Sequence, residues 1–177
     1  MRHLVLLVLV PLVLTGCGSG AADDAAPADG PAQIFAAVLR RYLTTPEESS
    51  FGYGFANIYV LNRTDGRAGE PLGTPAGIGT SISEQDQRTI VEALRDLGTV
   101  TFVGSEDEVF EYIEGCAQVR DGGILMTLGD PVGDGTRVEV AVSGFVACLG
   151  ATWLTYVVVR DGSDWRVTGT TGPIAVA

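Results

Sequence analysis

The spacing of the apolar residues changes near Cys116, and this change restricts the fold more than any other feature of the sequence. Upstream of Cys116, apolar residues recur at helical spacing in two long segments, whereas downstream they alternate with polar residues. Helices grouped first and strands grouped last are typical of an α+β domain. We therefore expect N-terminal helices packed on one face of a curved antiparallel sheet.

Three helical segments are predicted upstream of this change. Apolar residues at helical spacing predict helices over 33–44 and 83–97, the second beginning after the N-cap residue Ser83. The segment 105–113 opens with the spacing of a capping box, so we expect a further helical turn there. The glycine- and proline-rich segment 62–80 is predicted to be a long exposed loop.

Strands are predicted where β-branched and aromatic residues are bounded by turn residues. They cover 55–61, 99–103, 116–120, 123–129, 136–148, 151–160 and 164–170. Asp121-Gly122 and Asp161-Gly162 are typical of tight hairpin turns, so the strands after Cys116 are expected to form an antiparallel meander. The expected core face of this meander carries Val138, Val140, Val142, Val146, Cys148, Trp165 and Val167.

The order of these elements, with a final Trp-Arg-Val strand, resembles the cystatin-like and NTF2-like folds. That likeness concerns architecture and implies no function. Three stretches also resemble parts of uncharacterised actinobacterial secreted proteins, namely Tyr59-Val60-Leu61, Leu128-Gly129-Asp130 and Gly169-Thr170-Thr171-Gly172-Pro173. This second resemblance implies no activity either.

The N-terminus has the pattern of an export signal. After Arg2 and His3 comes an apolar run of 11 residues that ends at Leu14. A membrane-spanning helix needs roughly 20 residues to cross about 30 Å, so this run suits the core of a signal peptide instead. The run ends in Leu14-Thr15-Gly16-Cys17, which resembles the lipobox of bacterial lipoproteins.

The lipobox resemblance implies a signal peptide over 1–16 that is removed before Cys17, and acyl chains such as palmitate on Cys17. The alternative is an ordinary signal peptide in which Cys17 occurs by chance. Small, acidic and proline residues over 17–31 predict a flexible tether, and 32–177 is the expected single domain. The expected location is the extracytoplasmic face of the cell membrane, where lipid holds the chain.

The charge balance narrows the range of partners. The chain has 22 acidic residues against 11 basic ones, and such a surface repels nucleic acid and anionic lipid head groups. We therefore expect no nucleic-acid partner, and we expect contact with the membrane through lipid on Cys17. The remaining candidate partners are an envelope protein, a cell-wall component or a small molecule.

Cys116 and Cys148 are predicted to form a disulfide. They are the pair that remains in an exported chain once Cys17 carries lipid. A bond between positions 32 residues apart would stabilise the fold by about 3 to 4 kcal/mol. Two separate buried thiols are the alternative.

Missing side chains exclude several classes of enzyme. The chain has no lysine, and its one histidine is His3, in the expected leader. Ser-His-Asp, Cys-His and Ser-Lys sites, and zinc sites built on histidine, therefore cannot be assembled from the mature chain. A GK[ST] phosphate loop is also missing from the sequence. We therefore predict no catalytic residue, no metal site and no cofactor.

Carboxylates are the remaining route to catalysis. They are densest at Glu106, Asp107, Glu108, Glu111 and Glu114. Two of them could serve as the acid and base of a glycosidase if a cleft held them about 5 to 9.5 Å apart. The alternative is a solvated helix face with acidic residues near its N-terminus.

Aromatic residues suggest a second candidate surface. Phe51, Tyr53 and Phe55 alternate with glycines and could form an exposed surface for a ligand, or they could pack in the core. Trp153 and Tyr156 lie on a strand that is apolar on both faces. They could be exposed and bind a glycan, a peptide or a hydrophobic ligand, but burial in a central strand explains them as well, and we favour burial.

The favoured hypothesis is a non-catalytic binding or interaction module of the cell envelope, anchored to the membrane. The alternative is a small carboxylate-dependent hydrolase that acts on cell-wall glycan. A deep cleft with two facing acids, one of them with a raised pKa, would favour the alternative.

Overall fold

The computed structural model describes residues 30–51, 54–71 and 79–177. The expected signal peptide, Cys17 and nearly all of the expected tether lie outside these ranges. The described residues form three helices, α1 Pro31–Thr44, α2 Pro46–Ser49 and α3 Glu84–Leu94. None of these helices is long and apolar enough to cross a membrane.

The two long helices follow the pattern of the sequence. α1 begins at Pro31, where the missing N–H is not needed in the first turn, and buries its apolar stripe. α3 begins after Ser83, whose hydroxyl oxygen accepts a hydrogen bond from the backbone N–H of Asp86. The predictions of helices over 33–44 and 83–97 are confirmed, whereas the short helix α2 was not predicted.

Nine strands in the described ranges form one sheet. They are β1 Asn57–Leu61, β2 Thr99–Val103, β3 Phe110–Ile113, β4 Cys116–Val119, β5 Ile124–Leu128, β6 Val132–Gly133, β7 Arg137–Ala147, β8 Gly150–Asp161 and β9 Asp164–Val176. β8 pairs along one edge of β7, and β6, β5 and β4 pair in turn along its other edge. Together with the helices, this sheet makes the α+β fold that the sequence predicts.

The sheet is mixed, whereas the sequence predicted an antiparallel one. β1 runs parallel to both β2 and β5. α3 lies between β1 and β2 in the chain, and a helical connection of this kind allows two neighbouring strands to run in the same direction. The antiparallel meander, expected to include all strands after Cys116, is therefore limited to β7, β8 and β9.

The helical turn expected over 105–113 is wrong for most of its length. Only Glu106–Glu108 is helical, as a single 3-10 turn, and β3 follows directly. Glu114 and Gly115 both have positive φ, 51° and 81°, so they turn the chain tightly and β3 pairs with β4 as a hairpin. The alternating Phe-Glu-Tyr-Ile segment suits this strand better than a helix.

The two predicted hairpin turns also differ from expectation. Asp121 and Gly122 have the expected positive φ, but they do not join paired strands, because β4 and β5 both lie against β7. At the second turn Asp161 pairs with Asp164, so the turn consists of Gly162 and Ser163. Gly162 has a φ of 66°, which glycine adopts at no steric cost.

The two faces of the sheet are covered differently. On one, which we call the helix face, α1 and α3 enclose the main core, and the expected core residues found there are Val138, Val140, Val142, Val146, Trp165 and Val167. The other, which we call the open face, carries a smaller core beside the β3–β4 hairpin, with Tyr59, Leu61, Val103, Val109, Val119 and Leu125. Cys148, expected on the core face, is exposed just beyond β7.

Candidate functional site

A groove crosses the open face of the sheet over β5, β7 and β8. Its floor consists of two rows of directly paired residues. Thr127, Ser143 and Trp153 form one row, and Leu125, Phe145 and Ala151 form the other. Paired residues on neighbouring strands point to the same side of a sheet, so each row presents its three side chains together. One row is polar with a tryptophan, and the other is apolar.

A loop forms one wall of the groove. Residues 65–71 lie across the next row of the sheet, where Gly69 faces Ala141 and Thr155. A Cβ placed on Gly69 would be 3.1 Å from both Ala141 Cβ and Thr155 Oγ1, so glycine allows the loop to lie close to the sheet. The 3-10 turn at Glu106–Glu108 and the β3–β4 hairpin form the opposite wall.

The groove has two chambers that share Glu106, Thr127, Ser143 and Trp153. The outer chamber has a volume of about 300 Å³ and is otherwise lined by the 65–71 loop, with Asp65, Arg67, Ala68, Glu70 and Pro71. The inner chamber has a volume of about 270 Å³ and is otherwise lined by Phe110, Ala117, Leu125, Gly144, Phe145 and Ala151. Polar and charged groups therefore lie at one end of the groove and aromatic and aliphatic groups at the other.

The outer chamber is negatively charged. Arg67 is bound to Asp65: its Nη2 lies 2.6 Å from Oδ2, and its backbone N–H donates to Oδ1 at 2.8 Å. The hydrogen bond from the Arg67 side chain lowers the pKa of Asp65, which keeps this carboxylate ionised. Glu70 and Glu106 line the same chamber. Three carboxylates and one guanidinium group thus line this chamber, and the guanidinium group is already paired with Asp65.

The predicted disulfide is confirmed. Cys116 and Cys148 are bonded, with their Cα atoms 5.5 Å apart. The bond joins the start of β4 to the residue after β7, so it fixes the β3–β4 hairpin to the long central strand. Because Phe110 and Ala117 of this hairpin line the inner chamber, the disulfide also holds a wall of the groove.

The aromatic segment predicted as a ligand surface is mostly packing. Phe55 is buried in the main core, and Phe51 lies half-buried against it, with the two ring centroids 5.6 Å apart. Tyr53 lies outside the described residues. The two described rings thus belong to the main core, and neither lines the groove.

The acidic cluster is dispersed by the β3 strand. All five carboxylates are exposed, and of the five only Glu106 lines the groove. The Glu108 carboxylate accepts hydrogen bonds from the backbone N–H groups of Gly104 and Ser105, at 2.9 and 3.2 Å. Glu108 therefore stabilises the wall.

Sequence reasoning singled out Glu106 but missed most other residues of the groove. Trp153 was interpreted as buried together with Tyr156, but the two lie three positions apart, so they point to opposite faces of β8. Tyr156 is fully buried on the helix face, and Trp153 is half-buried in the groove. The odd spacing of Trp153 and Tyr156 along the strand could have shown that they lie on opposite faces. The places of Thr127 and Ser143 in the groove depend on how the strands pair, which the sequence does not show.

Among the described residues, no group of three or more histidine, cysteine, aspartate or glutamate side chains could hold a metal ion. The groove thus offers hydroxyls, carboxylates, one paired arginine and aromatic surface. Comparisons of the chain with protein-family models, with curated proteins and with solved structures found no match.

Proposed function

We propose that this chain is a lipoprotein of the extracytoplasmic membrane face, attached through lipid on Cys17, whose domain binds a small ligand in the groove without transforming it. The observation that carries the proposal is the groove itself. Trp153 and its row of hydroxyls lie between two walls on a sheet face that α1 and α3 do not cover. Pockets that combine apolar walls with a few polar groups are typical ligand sites.

The chemistry of the groove favours binding over catalysis. The hydroxyls of Ser143 and Thr127 are weak nucleophiles unless a neighbouring base removes their proton. Histidine and lysine, the usual bases, are missing from the chain apart from His3. The groove is therefore suited to hold a molecule through hydrogen bonds and aromatic contact.

The start of the domain lies close to the loop that forms a wall of the groove. Pro31, where the expected tether ends, lines a small cavity together with Phe35 and Thr64. Thr64 directly precedes Asp65, which lines the outer chamber. This arrangement supports a groove on the part of the domain that follows the expected tether.

Binding of a neutral probe tests the groove. We expect 1-naphthalenemethanol to bind the purified full chain, as measured by titration calorimetry, and Trp153→Ala to weaken that binding by about tenfold or more. Trp165→Ala is the matched control, because Trp165 lies against α1 on the helix face. Equal affinities in the Trp153→Ala variant and in the unchanged protein would rule the groove out as the binding site.

Membrane attachment requires a separate test. Cys17→Ala should leave the precursor uncleaved or release the protein into the soluble fraction, because lipid is then missing. Metabolic labelling with a fatty acid should be lost at the same time. A variant that keeps both the label and its place in the membrane fraction would contradict attachment through Cys17.

One observation keeps the hydrolase alternative open to test: Glu106 lines both chambers. A hydrolase would release soluble fragments from purified peptidoglycan and would lose this activity in Glu106→Gln, because an amide cannot transfer the proton. Glu111→Gln, an exposed change on the neighbouring β3 strand, is the matched control. Turnover that only Glu106→Gln abolishes would replace binding with catalysis.

A further inference from the structure

We propose that the groove selects an amphiphilic organic cation: an ammonium or quaternary ammonium head group lies in the outer chamber, and its apolar group lies in the inner chamber. This inference rests on the proposed function, because it specifies the ligand class of the same groove. It depends on the separation of charge and apolar surface between the two chambers.

The inner chamber determines the apolar half of the ligand. Phe110 and Phe145 are in contact there, with ring centroids 5.1 Å apart, and Leu125 forms part of the floor. A cavity of about 150 Å³ with such a lining holds one benzene ring. The inner chamber, with a volume of about 270 Å³, therefore has room for a group larger than a single ring.

The charges of the outer chamber determine the polar half of the ligand. Asp65 neutralises Arg67 through several contacts, including one of 2.6 Å and two from Nε at 3.1 and 3.2 Å. Glu70 and Glu106 then leave the chamber with an excess of negative charge. A cationic head group complements this chamber, whereas a carboxylate or phosphate would face repulsion.

Trp153 adds a contact that favours a cation over a neutral donor. Its indole lines both chambers, as Glu106 does, where a head group would meet its apolar group. Tryptophan is the aromatic side chain that attracts ammonium groups most strongly through its ring face. A carboxylate and an indole that line the same chamber are a suitable pair for a positively charged nitrogen.

Three probes with the same ring system test the charge preference. The purified full chain is titrated with 1-naphthylmethylammonium, 1-naphthalenemethanol and 1-naphthaleneacetate. We expect the amine to bind about tenfold more tightly than the alcohol, and the acetate to bind most weakly, because cation–π and charge-assisted contacts are added. Glu106→Gln should remove most of the amine's advantage over the alcohol.

Glu84→Gln is the matched control, since Glu84 is an exposed carboxylate on α3, far from the groove lining. Equal binding of all three probes, lost in Trp153→Ala, would overturn the charge preference and leave the proposed groove standing. Binding of none of the three would overturn the groove as well. An amine preference that persists in both Glu106→Gln and Glu70→Gln would also refute the inference.

Discussion

On the helix face of β7 and β8, Val140, Val142 and Leu154 are completely buried beneath α1. On the open face of the same strands, Ser143 and Trp153 are half-buried between a loop and a hairpin. Alternate residues of one strand thus belong to two different environments. A helix fills its side of the sheet continuously, whereas a loop and a hairpin approach from opposite ends and leave a gap between them.

The comparison separates the source of stability from the source of binding. Apolar burial at the helix face provides the larger part of the hydrophobic free energy, because most of the buried residues belong to the main core. The open face lacks a complete cover, so its exposed aromatic and polar groups can contact a ligand. Changes on the two faces should therefore affect different measurements.

Removal of the disulfide should cause the largest loss of stability, and it should also weaken binding on the open face. We expect Cys116→Ala with Cys148→Ala to lower the free energy of unfolding by about 3 to 4 kcal/mol, since the bond closes a loop of 32 residues. Urea unfolding measures this change. Probe binding in the groove should also weaken, because the β3–β4 hairpin loses its covalent link to β7. Undiminished stability would show that the hairpin is held by its packing alone.

Adding a single methyl group at Gly144, on the helix face, should lower stability almost as much as removing the disulfide. A Cβ on Gly144 would lie 2.7 Å from Cζ and 2.8 Å from Cε1 of Tyr42, and closer still to its hydroxyl oxygen. We expect Gly144→Ala to lower the free energy of unfolding by about 2 to 3 kcal/mol, because α1 must move away from the sheet.

Gly169→Ala is the matched control for this change, since a Cβ there would have no atom within 4 Å. It should alter stability by about 0.5 kcal/mol at most. Tyr42→Phe removes the nearest atom, so the double variant with Gly144→Ala should be more stable than the sum of the single changes predicts. Strict additivity would mean that the Tyr42 hydroxyl is not the obstacle.

Much of the helix face could be predicted because its signals are local. The stripe of α1, the Ser83 cap of α3 and the alternation along β7 depend on residues close together in the chain. The open face depends on distant pairs instead. Thr127 meets Ser143, and Ser143 meets Trp153, only once the strands have found their register. Neither turn residues nor apolar spacing contain that information.

The local errors have a similar origin. The capping box predicted at Ser105 does form, since the Glu108 carboxylate accepts a hydrogen bond from Ser105 N–H. The helix nevertheless stops after one turn, because the next residues pair with β4 as a strand. As a strand, Phe110–Ile113 forms backbone hydrogen bonds with β4, and Phe110 packs against the smaller core. The segment that was misassigned is thus a wall of the candidate site.

The helix caps Ser83, on the helix-face helix α3, and Glu108, in the wall of the groove, test the same difference between the faces with smaller expected effects. Ser83→Ala should lower the free energy of unfolding by about 1 kcal/mol, because Asp86 N–H loses its acceptor at the start of α3. Probe binding should stay unchanged. Glu108→Ala leaves two backbone N–H groups without their carboxylate and should weaken binding of 1-naphthylmethylammonium, because Glu106 belongs to the same turn. Identical effects of both changes on binding would break the separation of the faces.

The smallest expected effect is a dependence of stability on pH at the ion pair between Arg40 and Asp96. Arg40 of α1 contacts Asp96, after α3, through two bonds of 2.7 and 2.9 Å, and this contact lowers the pKa of Asp96 to about 2. The unfolded value is about 3.9, so the pair stabilises the fold above about pH 4, and its contribution is lost as the pH falls towards 2. Because the Asp96 side chain is exposed, the contribution is small.

Asp96→Asn should accordingly lower the melting temperature slightly at pH 6 and have no effect near pH 2, as thermal unfolding monitored by circular dichroism can determine.

Asp65→Asn in the outer chamber should instead change the affinity for a cationic ligand at neutral pH. It releases the Arg67 guanidinium from its carboxylate, so positive charge appears beside Glu106, and the affinity for 1-naphthylmethylammonium should fall while that for 1-naphthalenemethanol stays. If Asp96→Asn altered the amine's affinity as much as Asp65→Asn does, general surface charge would account for binding, and the two faces would not be independent.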